Sequence, residues 1–196
     1  MKPKVKEENG FEYIDEGEGE ILFVLHGLFG ALSNWEDLVA GFSDKYRVII
    51  PVMPIYTSPI RKSSVDGLAN FISEFVKFKN LDKFTLLGNS LGGHVCLVFT
   101  LDNPEKVEKL VLTGSSGLFE SGMGGSFPKR GDWNYIRERV EYTFSDPKTA
   151  TDELVQEVFD ITGSNQKCLR IIAIAKSAQR HNMAEDLKNI KCPTLL

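Results

Sequence analysis

The sequence predicts an α/β fold: a mostly parallel central sheet with helices on both faces, interrupted late in the chain by an inserted block of helices. Three observations carry that expectation. Short apolar runs alternate with amphipathic helical patterns from residue 21 to residue 113, as strands joined by crossover helices do. The alternation stops at residues 114–126, a stretch with five glycines, and helix-period patterning follows as far as residue 187. A strand pattern returns only at residues 192–196.

Each element has its own warrant. Residues 11–15 read as a short strand before the turn EGEGE at 16–20. Residues 21–25 (ILFVL) are a continuous apolar run, as a strand buried on both faces requires. Ser33 or Asn34 caps a helix reaching residue 42, with Trp35, Leu38 and Val39 on one face. Residues 46–52 form a second buried strand, stopped by Pro51 and Pro54. Ser64 opens a long helix whose stripe is Val65, Leu68, Phe71, Ile72, Phe75 and Val76. A strand at 84–87, a helix at 91–103 halted by Pro104, and a strand at 107–113 complete the alternation.

In the helical block, Ile136, Val140 and Phe144 line one face of a first helix. Thr151 caps a second, with Asp152 and Glu153 suited to its positive N-terminus and Gly163 at its end. Ser164 caps a third, with Leu169, Ile172 and Ala175 on its apolar face. The chain thus divides into a core at 1–117, a helical block at 118–187 and a return to the sheet at 188–196. No internal repeat is visible.

Composition excludes several roles. The 196 residues carry a net charge of -4, with 42% hydrophobic and 26% charged residues, ordinary for a globular domain with a sizeable core. The acidic balance and the absence of a basic stripe argue against nucleic-acid binding. The first 20 residues hold no apolar signal region, and no apolar run is long enough to span a bilayer. Cys96, Cys168 and Cys192 are far apart, the pattern of reduced thiols in a cytoplasmic protein. His26, His94 and His181 are equally scattered, so no metal site is expected. Oligomeric state leaves no signature.

The chemistry concentrates at Gly88-Asn89-Ser90-Leu91-Gly92. Alone, G-x-S-x-G is a weak motif and fits a serine that merely caps a helix. Here it follows a strand and opens a helix, the context of a nucleophile elbow. So tight a turn leaves no room for side chains two residues either side of the serine, and Gly88 and Gly92 meet that demand. The elbow lifts Ser90 Oγ above the strand ends, where open α/β sheets bind ligands. A second motif, His26-Gly27-Leu28-Phe29-Gly30, directly follows the strand at 21–25. Such a loop can aim a backbone N–H at an acyl oxygen and, with the N–H of Leu91, form an oxyanion hole. Losing one donor of that kind costs roughly 3 to 4 kcal/mol in other serine hydrolases.

Taken together, HGLFG, GNSLGGHV, NPEKVEKLVLTGSSG and IKCPTLL resemble the α/β-hydrolase superfamily from about residue 10 onward. The group resembled is that of small-molecule carboxylesterases and meta-cleavage-product C–C hydrolases. The resemblance implies that Ser90 is the nucleophile, that Leu28 and Leu91 supply the oxyanion N–H groups, and that residues 118–187 form a helical cap over the pocket. It implies a small-molecule substrate and no cofactor. The expected activity is hydrolysis of small, largely apolar carboxylic esters through an acyl-enzyme. C–C cleavage next to a carbonyl is the alternative within the superfamily, and a non-catalytic binding protein on the same scaffold is the alternative outside it.

Two departures from the family pattern stand out. After residues 46–52, many relatives carry an Asp-Arg-Gly-His-Gly-x-Ser loop; here the text is PVMPIYTSPIRKSS. The family order is serine, acid, histidine, yet neither triad partner is found by motif in this chain. Its Pro193-Thr194-Leu195-Leu196 resembles the start of the strand preceding the acid. The expectation is a truncated chain, inactive as written. His26 reads as structural, His94 as packed beside its helix and His181 as solvated. The first carboxylate after the strand at 107–113 is Glu120, which carries no motif. The glycines at 121–125 suggest a hinge for the cap.

Overall fold

The computed structural model describes residues 3–29, 35–118 and 131–196. Among them lies a seven-stranded sheet, in the order β1-β2-β4-β3-β5-β6-β7. The strands are β1 (Lys6–Glu8), β2 (Phe11–Glu16), β3 (Ile21–Leu25), β4 (Arg47–Pro51), β5 (Phe84–Asn89), β6 (Val107–Thr113) and β7 (Thr194–Leu195). β1 and β2 run antiparallel at one edge. All pairings from β4 through β7 are parallel. The predicted α/β architecture is what forms, with β1 added as a strand the periodicity does not announce.

Side chains alternate across the sheet, so each inner strand feeds two cores. Phe23 and Leu25 of β3 and Ile49 of β4 enter the larger core. That core is covered by α2 (Val65–Phe78) and α3 (Leu91–Asp102). Leu22, Val24, Val48 and Ile50 point the other way, onto Val39 of α1 (Glu36–Phe42) and the partly buried Trp35 and Leu38. The predicted face of α1 is therefore correct; its predicted caps, Ser33 and Asn34, lie outside the described residues. Ser64 caps α2 as expected, its hydroxyl accepting from the Gly67 N–H at 3.0 Å. Its stripe is buried as read, with Phe71 partly so.

One ionic knot ties three elements. Asp15 on β2 accepts two 2.8 Å hydrogen bonds from Arg47 on β4, and Lys79, just past α2, lies 3.0 Å away. Burial alone would raise the Asp15 carboxyl. The hydrogen bonds from Arg47 and Lys79 outweigh it and hold the group at about 2.

Between β6 and β7 the chain forms α4 (Trp133–Tyr142), α5 (Asp152–Gly163) and α6 (Asn165–Arg180). Thr151 and Ser164 cap α5 and α6 as read, accepting from Leu154 and Lys167 N–H. Ile136 and Val140 form a cluster with Ala150, Val155 and Val158, and Phe144 packs against it. The predicted face of α6 is corrected. Cys168, Ile171, Ile174 and Ala178 are its buried residues, while Leu169 is 53% exposed. Apolar residues nearly encircle this helix, so its pattern fits two faces, and docking on α2 selects the one carrying Ile174 and Ala178. The proposed hinge at 121–125 lies outside the described residues. No helix among the described residues is long and apolar enough to cross a membrane.

Candidate functional site

Ser90 sits at the carboxyl end of β5, in the single residue between that strand and α3. Its φ is +53° and its ψ -120°, a conformation sparsely populated by residues with a side chain. Strain of this kind persists only when the surroundings hold it, and here they do. The Ser90 N–H donates to Thr113 O at 3.0 Å, and Ser90 O accepts from His94 and Ser116 N–H, each at 3.2 Å. Asn89 Nδ2 adds 3.0 Å bonds to the carbonyl and hydroxyl of Thr113. The Ser90 side chain makes no cap hydrogen bond to α3 and the residue is exposed. A serine spent on capping is thereby excluded.

The glycines are required by space. A Cβ on Gly92 would lie 2.2 Å from Leu25 O and 2.6 Å from His26 O, and one on Gly88 would lie 2.5 Å from Cys96 Sγ and 2.6 Å from Gly92 O. One on Gly93 would meet Ser115 Oγ at 2.4 Å. The first turn of α3 thus presses directly on the end of β3. That contact brings the loop after β3 alongside the serine: a Cβ on Gly27 would be 3.4 Å from Ser90 Cβ. Leu28 follows Gly27 in that loop, and Leu91 opens α3 directly after Ser90. Among the described residues neither backbone N–H donates to a protein acceptor.

The loop's orientation is set by His26, which is buried. Its Nε2 accepts from Met53 N–H at 3.0 Å, which leaves the proton on Nδ1, and Nδ1 donates to Gly27 O at 2.9 Å. The carbonyl so held belongs to the peptide whose N–H is that of Leu28, and the trans geometry aims that N–H the opposite way. Burial pushes the His26 ring below its ordinary pKa, so it remains the neutral tautomer the two bonds need.

The sequence profile of the alpha/beta hydrolase fold family matches residues 20–178. The chain is a member of the α/β-hydrolase family. The 2-hydroxy-6-oxo-6-phenylhexa-2,4-dienoate hydrolase of Comamonas testosteroni is similar to it, at 27% identity over 94% of this chain and 72% of that protein. The 2-hydroxy-6-oxononadienedioate/2-hydroxy-6-oxononatrienedioate hydrolase 1 of Pseudomonas putida is 39% identical over 59% of this chain. This chain spans only 42% of that second relative's length. Among solved structures, MGS-MChE2, an alpha/beta hydrolase enzyme from the metagenome of lagoon sediments at Mar Chica, Morocco, is 38% identical. It superposes with a TM-score of 0.75, over 97% of this chain and 73% of that one.

In this α/β hydrolase none of the three histidine rings hydrogen-bonds the Ser90 hydroxyl. His26 is committed to the loop. His94 is fully buried, with Nδ1 3.4 Å from Ser116 Oγ. Its ring stacks on His181, centroids 5.1 Å apart and planes 22° apart. Burial first, then the neighbouring His181, pushes His94 down to about 4. The reading of His181 as solvated holds in part: the residue is half-buried, with one face of its ring stacked on His94. Met183 N–H donates to Gly117 O at 2.9 Å, folding the end of the helical block back onto the 115–117 loop and laying His181 on His94. A groove of about 640 Å³ beside His181, lined also by Arg61, Lys176 and Arg180, does not include Ser90.

Sequence reasoning missed Tyr56. Its hydroxyl donates to Leu28 O at 2.5 Å, from within the 51–64 stretch that departs from the family pattern. No motif marks it; the departure itself was the available signal.

Proposed function

We propose that this hydrolase cleaves small, largely apolar carboxylic esters, with Ser90 as nucleophile. The observation that carries the reading is the positive-φ backbone of Ser90, braced on three sides and leaving its hydroxyl uncommitted. Ser90 Oγ attacks the ester carbonyl as a base takes its proton. The oxygen that becomes negative lies between the N–H groups of Leu28 and Leu91. The leaving alcohol departs, and water then resolves the acyl-enzyme. Helices α4, α5 and α6, within the block at 118–187, act as the cap over the acyl group. None of the three histidines of residues 1–196 is the base, and the triad acid and histidine belong to residues other than those described. The substrate is a small molecule, with no cofactor, nucleic acid or membrane partner. The free thiols Cys96, Cys168 and Cys192 suit a cytoplasmic location.

The test is Ser90→Ala in a version of the protein that turns over p-nitrophenyl acetate and butyrate. The expected loss is on the order of a million-fold, with folding unchanged. Retention of more than about a hundredth of the rate overturns the assignment.

A second reading keeps Ser90 and changes the bond. Relatives at 35% and 39% identity over 129 residues are named dienedioate hydrolases, which favours C–C cleavage beside a ketone. Turnover of 2-hydroxy-6-oxo-dienoates with no turnover of aryl esters decides for it. A pure ligand-binding role predicts stoichiometric binding of either class with no turnover, and it leaves the cost of the strained elbow unexplained.

A further inference from the structure

The Tyr56 hydroxyl reaches a carbonyl in the loop that flanks Ser90, and this contact has a consequence for the reaction. Two points of the loop after β3 are held from the loop after β4. Met53 N–H engages His26, which fixes the Gly27–Leu28 peptide. Three residues later, Tyr56 Oη engages the carbonyl of Leu28 and so fixes the next peptide, Leu28–Phe29. Leu28 N–H lies in the first of these planes, and Leu28 Cα joins that plane to the second. With both carbonyls anchored Leu28 Cα is held from either side; released at its own carbonyl, Leu28 can shift and carry its N–H away from the point above Ser90. Beyond the loop, Phe29 packs against the Ile136, Val140 and Val158 cluster of the inserted helices.

Tyr56 is itself held in place. It is packed against the larger core. Lys167 Nζ on α6 lies 5.8 Å from its ring centroid, and Arg170 on the same helix donates to Ser58 O at 2.6 Å. The ring would keep these contacts without its hydroxyl.

We infer that Tyr56 is a positioning residue for the reaction: its hydroxyl holds the Leu28–Phe29 peptide so that the Leu28 N–H stays aimed at the oxyanion above Ser90. The inference rests on the reading of Ser90 and Leu28 given above. Tyr56 does not touch the reacting atoms. Burial raises its phenol above the ordinary range, so it remains a donor at every working pH and adds no ionisation to the pH profile. A donor that drifts is lost from the transition state more than from the bound ester, because the full negative charge develops only there. The signature is therefore a fall in kcat with KM preserved.

The test pairs Tyr56→Phe with a Ser90→Ala control. In the 196-residue chain, amide hydrogen exchange of the peptide covering residues 24–29 should speed up several-fold in Tyr56→Phe, with exchange in α3 unchanged. In an ester-hydrolysing version, kcat on p-nitrophenyl butyrate should fall about tenfold with KM within about twofold, a fraction of the 10²–10³ that outright loss of a donor costs. The pH profile should keep its midpoint. Unchanged exchange at 24–29 overturns the inference. So does faster exchange with an unchanged kcat while Ser90→Ala is inactive. A Ser90→Ala variant that keeps its rate instead overturns the underlying site, which separates the two failures.

Discussion

At the scale of single residues, the site divides into what a motif announces and what only the fold brings together. Ser90, Gly88 and Gly92 are legible because one local turn imposes all three, and a constraint within five residues is visible in five letters. Tyr56 is not legible, because its partner Leu28 is 28 positions away and any aromatic in that loop looks alike in sequence. His94 falls between: its place on α3 is readable, while its stacking on His181 depends on how the inserted helices return. That burial makes His94 a source of acid sensitivity. Its folded pKa of about 4 lies below the unfolded value near 6.5. Between those values the unfolded chain binds more protons than the folded one, so stability falls as pH drops from about 6.5 to about 4. Asp66 opposes the shift but is outweighed. His94→Gln should therefore lose less stability than the parent between pH 7 and pH 5, read from urea midpoints at the two values. His26 sensitises both proteins alike, so the difference reports His94. Identical losses would show that His94 is not neutral in the folded state for the reason given.

At the scale of elements, legibility follows periodicity. β3, β4 and β5 announce themselves because each is buried on at least one face by long apolar runs, and α2 because one stripe alone is apolar. β1 is three charged residues pairing with β2 at the sheet edge, where no face is buried enough to leave a pattern. α6 is recognised as a helix but turned wrongly, since its period is clear and its phase is not. The element junction most exposed to a single change is that between β3 and α3. Gly92→Ala places a methyl 2.2 Å from Leu25 O and 2.6 Å from His26 O. Both are backbone atoms at the end of the strand that carries the loop beside Ser90, so neither moves without displacing Leu28 as well. Relief requires α3 to back away from the sheet, and overpacking of this kind costs typically 1–3 kcal/mol, occasionally more. The expected outcome is a lowered denaturation midpoint together with loss of esterase activity. Stability lost with activity intact would mean that the approach of α3 to β3 does not set the site.

At the scale of the whole molecule, the two faces of the sheet are unequally covered. The face carrying Phe23, Leu86 and Leu110 is sealed by α2, α3 and α6. The opposite face is covered by α1 over β3 and β4, but among the described residues no helix lies over β6 and β7. A row of apolar side chains crosses there. Leu87, Val111 and Leu195 are paired in register from β5 to β6 to β7, with Leu87 and Val111 half-buried. Leu195 is 65% exposed and Leu196 91% exposed. β7 also forms the edge of the described sheet, pairing with β6 alone. An exposed apolar row that ends on an unpaired edge strand offers both a sticky surface and a template for strand addition. The 196-residue chain on its own should therefore self-associate and enhance the fluorescence of a hydrophobic dye. Leu195→Lys should reduce both effects, because a charge on the outermost strand interrupts the row and blunts the edge without entering the sealed core. Sedimentation velocity at several concentrations, run beside dye titration on parent and variant, measures the two effects separately. A monomeric, dye-silent parent would mean that this face is not a sticky surface in solution, and equal association by the variant would place the contact elsewhere on the molecule.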